Sequence, residues 1–262
     1  MDTCRRYQRV RSLARRAERP TGVALWLLWA GLLLLLFVAR TATARVGPAH
    51  LTLAADRYHL ESTERLTERY DAGMMAYAHG RTTEAIRLLE PVAQAGDSDA
   101  QYLLASVYDE EAVGPNGHFL AVAWYRQAAI HGHPEAQFAL GVAYRLGQGV
   151  HPDAQQALIW WRAAALQGNV PAQVMLGYLY AVGEHGSGQD LAAAVEWWRK
   201  AADNDDPLAQ YNLAGLYAAG EGVGKSYCEA ARWWERSADN GNRQAADALA
   251  SVRGLVEYAA CQ

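Results

Sequence analysis

The chain is poor in cysteine and lacks the short motifs that mark common chemistries. Its three cysteines, Cys4, Cys228 and Cys261, form no Cys-x-x-Cys pair, which excludes a thiol-redox motif and the usual zinc-ribbon spacing. No Gly-x-Ser-x-Gly elbow, phosphate-binding P-loop or dinucleotide fingerprint is read in it, and these absences argue against an enzyme. Eight histidines are present, but His131, His133 and His151 fit no metal-ligand pattern and two of them lie at Gly-flanked turns. No metal and no cofactor is expected. Acidic clusters such as Asp109-Glu110-Glu111 and Asp203 to Asp206 fall at helix ends and read as solvated turn chemistry, with nothing supplying a pocket for paired catalytic carboxylates.

Charge is missing altogether from one stretch. Thr21 to Ala39, TGVALWLLWAGLLLLLFVA, is nineteen residues without a charged side chain. As a helix it reaches roughly 28 Å, against a hydrocarbon core of ~30 Å. The reading is a transmembrane helix over 21–39. Residues 1–19 carry seven Arg against Asp2 and Glu18, whereas the rest of the chain holds 17 basic against 26 acidic residues. Short basic flanks stay cytoplasmic during insertion. Residues 1–20 are therefore expected to be a cytoplasmic tail, with a single-pass signal anchor in a bacterial inner membrane and the acidic body in the periplasm. A cleaved secretory signal is the competing reading, because Ala42-Thr43-Ala44 offers a small-x-small site; the length of the apolar run favours retention. The acidic body argues against nucleic acid as a partner.

What the sequence has in quantity is a repeat. Ala-Gln pairs fall at Ala100-Gln101, Ala136-Gln137, Ala172-Gln173 and Ala209-Gln210. Aromatic pairs fall at Trp124-Tyr125, Trp160-Trp161, Trp197-Trp198 and Trp233-Trp234, and tyrosines at Tyr108, Tyr144, Tyr180 and Tyr217. Every series steps by 36 or 37 residues. Within a block, Pro134 to Leu146 places Ala136, Leu140 and Tyr144 on one helical face, a Gly-rich GQGVHPD breaks it, and Asp153 to Gln167 forms a second helix stopped by Gly168. One such hairpin cannot bury its apolar face, so the copies must stack. Small residues at Ala105, Gly141, Gly177 and Ala214 let helix axes approach, and the Trp residues, in register with core alanines, read as core. Residues 40–64 read as a linker with room for a short helix, Thr67 to Gly96 as a shorter capping hairpin (domain 65–97), and Gln244 to Ala260 as a closing helix (domain 243–262).

These blocks, at 98–133, 134–169, 170–206 and 207–242, resemble the Sel-1-like repeat, a relative of the tetratricopeptide repeat. The second block reads PEAQFALGVAY, GQGV, ALIWWRAAALQG, and the fourth PLAQYNLAGLY, AGEGV, AARWWERSADNG. The first and third depart from this pattern in the turn, with EAVGPNGH and GEHGSG. The resemblance implies an all-α fold, a right-handed α-solenoid of helical hairpins, and a scaffold or adaptor role without enzymatic activity; bacterial relatives often sit in the envelope. Cysteine-rich relatives described as β-lactamases carry a Cys pair in each repeat, and that pattern is missing here.

Binding residues follow from helical geometry. With Ala100, Leu104 and Tyr108 on the packed face, positions two and six after each such Ala point away from it. These are Tyr102 and Ser106, Phe138 and Val142, Val174 and Tyr178, Tyr211 and Gly215. They vary between copies while the core columns do not, and they are expected either to line a concave groove that takes a protein or peptide partner or to pack between neighbouring repeats. No small-molecule substrate is expected. Cys228 and Cys261 either pair in an oxidising compartment or stay as thiols. The alternative functional class is an envelope hydrolase acting on peptidoglycan or a β-lactam.

Overall fold

The computed structural model describes residues 48–110, 114, 116–184 and 188–252, with side chains from Thr63 onward. Among the described residues there are eleven helices and no strand. The chain divides into two units, Met1–Glu64 and Arg65–Gln262. Helix α1 spans Pro48–Ala78, so the stretch read as linker is helical from Pro48 onward. The reason is local: Ala49 to Ala72 contains no Gly or Pro and is rich in Ala, Leu, Glu and Arg, all good helix formers. The apolar run at 21–39 and the Arg-rich tail lie outside the described residues. Among the described residues no helix is long and apolar enough to cross a membrane.

Beyond α1 come α2 (Thr82–Gln94) and four hairpins. These are α3 (Ser98–Asp109) with α4 (Gly117–Ile130), α5 (Pro134–Leu146) with α6 (Ala154–Leu166), α7 (Val170–Val182) with α8 (Leu191–Asp203), and α9 (Pro207–Ala219) with α10 (Tyr227–Asp239). Helix α11 (Arg243–Val252) follows. Each first helix is capped at its N-terminus by a side chain one residue before it. Asp97, His133, Asn169 and Asp206 accept the backbone N–H of Ala100, Ala136, Ala172 and Ala209. The first helices of the last three hairpins end on a left-handed glycine, Gly147, Gly183 or Gly220. The backbone N–H of Asp153, Asp190 and Ser226 then reaches back to the carbonyl of Tyr144, Tyr180 and Tyr217, closing the turn. The additional residue of the third block lies in this turn, between α7 and α8.

Stacking uses three repeated devices. The second aromatic of each pair fills its own hairpin: Trp161 lies against Gly141, where an added Cβ would come within 2.5 Å of the indole, and Trp198 lies against Gly177 at 2.4 Å. The indole N–H of Trp161 donates to the Phe138 carbonyl, and that of Trp198 to the Val174 carbonyl, each at 3.2 Å. The small residues therefore seat a ring as well as bring helices close. Where the position is Ala214, the Trp234 indole nitrogen has no partner, and where it is Ala105, the ring is Tyr125, whose hydroxyl meets Ser106 Oγ at 3.4 Å. The first aromatic reaches the adjoining hairpin. Trp160 packs into the cluster built on Tyr125 and Leu140, and Trp197 joins the one built on Trp161 and Leu176.

The second device is the Ala-Gln landmark. Gln101, Gln137, Gln173 and Gln210 are buried, and each side-chain amide donates to a carbonyl in the last turn of the preceding helix: Ala93, Ala129, Ala165 and Ala202, at 3.0 to 3.1 Å. A helix leaves its last carbonyls without an i+4 partner; each of these four accepts a backbone N–H from the turn that follows, and the glutamine adds a second donor to it across the interface. Third, the second glycine of the Gly-x-Gly turn lets one hairpin touch the backbone of the one before. A Cβ at Gly149 would sit 2.2 Å from the His118 carbonyl oxygen, and one at Gly222 would sit 2.4 Å from Leu191.

Candidate functional site

Of the eight columns selected by helical geometry, Tyr102, Phe138 and Val142 line one groove of about 370 Å³ running across α3, α5 and the start of α7. Asp109 and Glu135 line it as well. The walls are held from behind. The Tyr102 ring stacks on His133 with centroids 4.6 Å apart and meets Tyr125 at 5.9 Å. His133, already the cap of α5, lies 3.3 Å from Glu135 and 3.4 Å from Asp99, and His118 Nδ1 lies 2.7 Å from Asp109. Ser106 donates to the Tyr102 carbonyl and meets the Tyr125 hydroxyl, which makes it a support for the wall.

The other columns divide. Tyr178 is exposed, and a Cβ at Gly215 would meet only open space. Val174 and Tyr211 are half-buried and pack against the clusters of the third and fourth hairpins. Packing between repeats thus takes part of each column while leaving an accessible edge. Phe138 and Val142 show both roles, touching the Trp161 cluster and lining the groove.

Electrostatics at this end of the groove are negative. The Tyr77 hydroxyl is pushed above the ordinary phenol range by burial first and then by its hydrogen bond to Glu110. Tyr70 is raised by burial, then by Asp99 and Asp97. Tyr125 is raised strongly, again chiefly by burial, with Asp109 adding to it.

Among the described residues no cluster of three or more His, Cys, Asp or Glu is placed to hold a metal ion. The segment Ala219 to Ser226, AGEGVGKS, has the residue types of a phosphate-binding loop with Ala in first place. Here it follows a helix rather than a strand, and the backbone N–H groups of Gly220, Glu221 and Ser226 are spent on Leu216 and Tyr217 carbonyls. Gly222 is packed on Leu191, and Lys225 lies over the Tyr227 ring at 4.8 Å, so no anion nest is left. Cys228 is disulfide-bonded, while Cys261 lies outside the described residues.

A second cleft, of about 830 Å³, lies between α4 and the α5–α6 turn, lined by Phe119, Arg126, Tyr144, His151 and Asp153 among others. Arg126 donates to the Tyr144 hydroxyl at 3.1 Å, as Arg199 does to Tyr217 at 2.7 Å. The recurrence of this bond in two blocks makes it part of the stacking.

The Sel1 repeat model matches residues 98–133, 134–169, 170–206 and 207–242, more than half of the chain. Among solved structures the chain is similar to a protective antigen of uropathogenic Escherichia coli strains displaying an SLR fold, at 30% identity and TM-score 0.67, over 74% of this chain and 43% of that one. It is also similar to a Sel1 repeat protein from Oxalobacter formigenes, at 28% identity and TM-score 0.65, over 72% and 77% of the two chains. The chain thus spans less than half the length of the first of these. No curated protein matches it. Proteins of this kind serve in general as protein-interaction scaffolds. With four matched copies, each built on the Ala-Gln and Trp landmarks described above, the chain belongs to the Sel1-repeat family.

Proposed function

We propose that this chain is a non-enzymatic scaffold that holds a peptide segment of a protein partner in the groove along the first helices of its hairpins. One observation carries the reading: rings and aliphatic side chains from successive hairpins, Tyr102, Phe138 and Val142, line a single accessible groove whose walls are fixed by packing from behind. A fixed wall binds at lower entropic cost than one that must be ordered by its ligand. The scaffold is anchored in a bacterial inner membrane through residues 21–39 with its basic tail in the cytoplasm, and the solenoid serves an envelope assembly on the periplasmic side. This part rests on the charge-free run and the seven arginines before it. In an oxidising compartment the bonded Cys228 has Cys261 as its expected partner.

The test is co-purification of the full chain with its partner from envelope extracts. Phe138→Arg and Tyr178→Arg should each abolish it, whereas Ile159→Arg, at an exposed position on α6, should not. Equal loss from all three would show that the groove is not the binding face. Carbonate extraction and protease accessibility in spheroplasts test the anchor: solenoid cleavage only after opening the outer membrane is expected, and cleavage only after lysis would reverse the topology.

A further inference from the structure

We infer that the end of the groove formed by the first two blocks recognises a cationic side chain, Arg or Lys, of the partner peptide, and that the other end takes apolar residues. This rests on the groove being the binding face.

The chemistry is on the walls. Asp109 and Glu135 face the same groove as the Tyr102 and Phe138 rings, and among the described residues no Lys or Arg lines it. Asp99 and Glu110 add charge at this end, through contact with His133 and Tyr77 respectively. His118 and His133 orient three of these carboxylates, Asp109, Asp99 and Glu135, without cancelling them, since two imidazoles face three carboxylates. A guanidinium or ammonium group placed here gains a carboxylate on each side and an aromatic face for its stem, the combination that binds cations best when partly desolvated.

Polarity changes along the column that contributes Glu135 and Pro171 to the groove. The column that reads Asp99 and Glu135 in the first two blocks reads Pro171 and Leu208 in the last two, and Tyr178, Val182 and Leu208 are exposed there. An occupant complementary to both ends carries a positive side chain at one end and apolar side chains at the other.

A randomised twelve-residue peptide library displayed against the full chain in nanodiscs tests this. Enriched peptides are resynthesised and their affinities read by fluorescence anisotropy. Arg or Lys should recur at one position. Glu135→Gln and Asp109→Asn should each weaken binding by about ten-fold, and replacing the peptide's Arg by citrulline should weaken binding to the wild type but not further to the double variant. Enriched peptides that are neutral or acidic, or affinities unchanged by both carboxylate substitutions while Phe138→Ala abolishes binding, would overturn the inference and leave the groove standing. No enrichment, or binding indifferent to Phe138→Ala, would remove both.

Discussion

Gly141→Ala is the smallest change that probes how these hairpins are built. The new methyl would lie 2.5 Å from Trp161 Cδ1 and Nε1, and Trp161 is 1% exposed, so the ring has no free space to move into. Overpacking of this kind costs about 1–3 kcal/mol. Moving the ring also breaks the Nε1 bond to the Phe138 carbonyl, and a buried N–H left without a partner costs about 1–3 kcal/mol. Opposing this, alanine is a better helix former than glycine by about 1 kcal/mol. The net expectation is destabilisation by about 1–5 kcal/mol, from combining those three ranges. Urea unfolding followed by circular dichroism at 222 nm reads it as a lower midpoint or, if the array splits, as an early transition of the first two hairpins. The first block supplies a rescue, since it already combines Ala105, Tyr125 and Ser106. Gly141→Ala with Trp161→Tyr and Val142→Ser should recover most of the loss. An alanine variant as stable as the wild type, or more stable by the helix-propensity increment, would refute the ring-seating argument.

Other substitutions address separate parts of the stack. Gln137→Leu removes the side-chain bond to the Ala129 carbonyl, which keeps the Gly132 N–H, and one of the two acceptors of the Gln167 amide; it should cost about 1 kcal/mol by urea titration, more than a leucine at an exposed site would. Gly149→Ala combines a left-handed backbone, at about 1–2 kcal/mol, with a methyl 2.2 Å from the His118 carbonyl oxygen, and should raise hydrogen exchange at the start of α4. Asp205, the one non-glycine with positive φ among the described residues, is hydrogen-bonded by Arg236, which holds its carboxyl below the usual carboxylate range. A carboxyl depressed in the folded state contributes stability at neutral pH and loses it as pH falls through its folded value. Asp205→Asn should therefore be less stable than wild type at pH 7, with the gap closing below pH ~4. A gap that stays constant with pH would assign the effect to backbone conformation instead.

Much of this architecture was readable because each device recurs in phase. Ala-Gln, the aromatic pairs and the tyrosines mark the block, and glycine after the first helix of the last three blocks marks the turn. What the devices do was less readable. The glutamines stood out as landmarks, but a side chain that satisfies a carbonyl in the preceding helix is visible only once the hairpins are stacked. The small residues read as close approach of helices, whereas the partner of Gly141 is the single ring of Trp161, twenty residues on. Of the groove residues, Tyr102, Phe138 and Val142 were reached by counting 100° per residue. Asp109 and Glu135 were not, because they lie at helix ends, where turn and cap geometry decides which way a side chain faces. Asp109 read as turn chemistry and His133 as a turn residue; they prove to be a groove wall and the cap that orients it. The helix over 48–64 is longer than the short one expected there, because the stretch carries no repeat landmark to weigh beside its helix-forming residues.

The account turns on which face of the solenoid a partner occupies. Photocrosslinking residues placed one at a time at Tyr102, Phe138 and Tyr178, and at Ile159 and Leu166 on exposed positions of α6, would map it in cells expressing the full chain. Crosslinks to one protein from the first three positions and none from the last two are predicted. Crosslinks to that protein from α6 alone, with the groove positions silent, would contradict it.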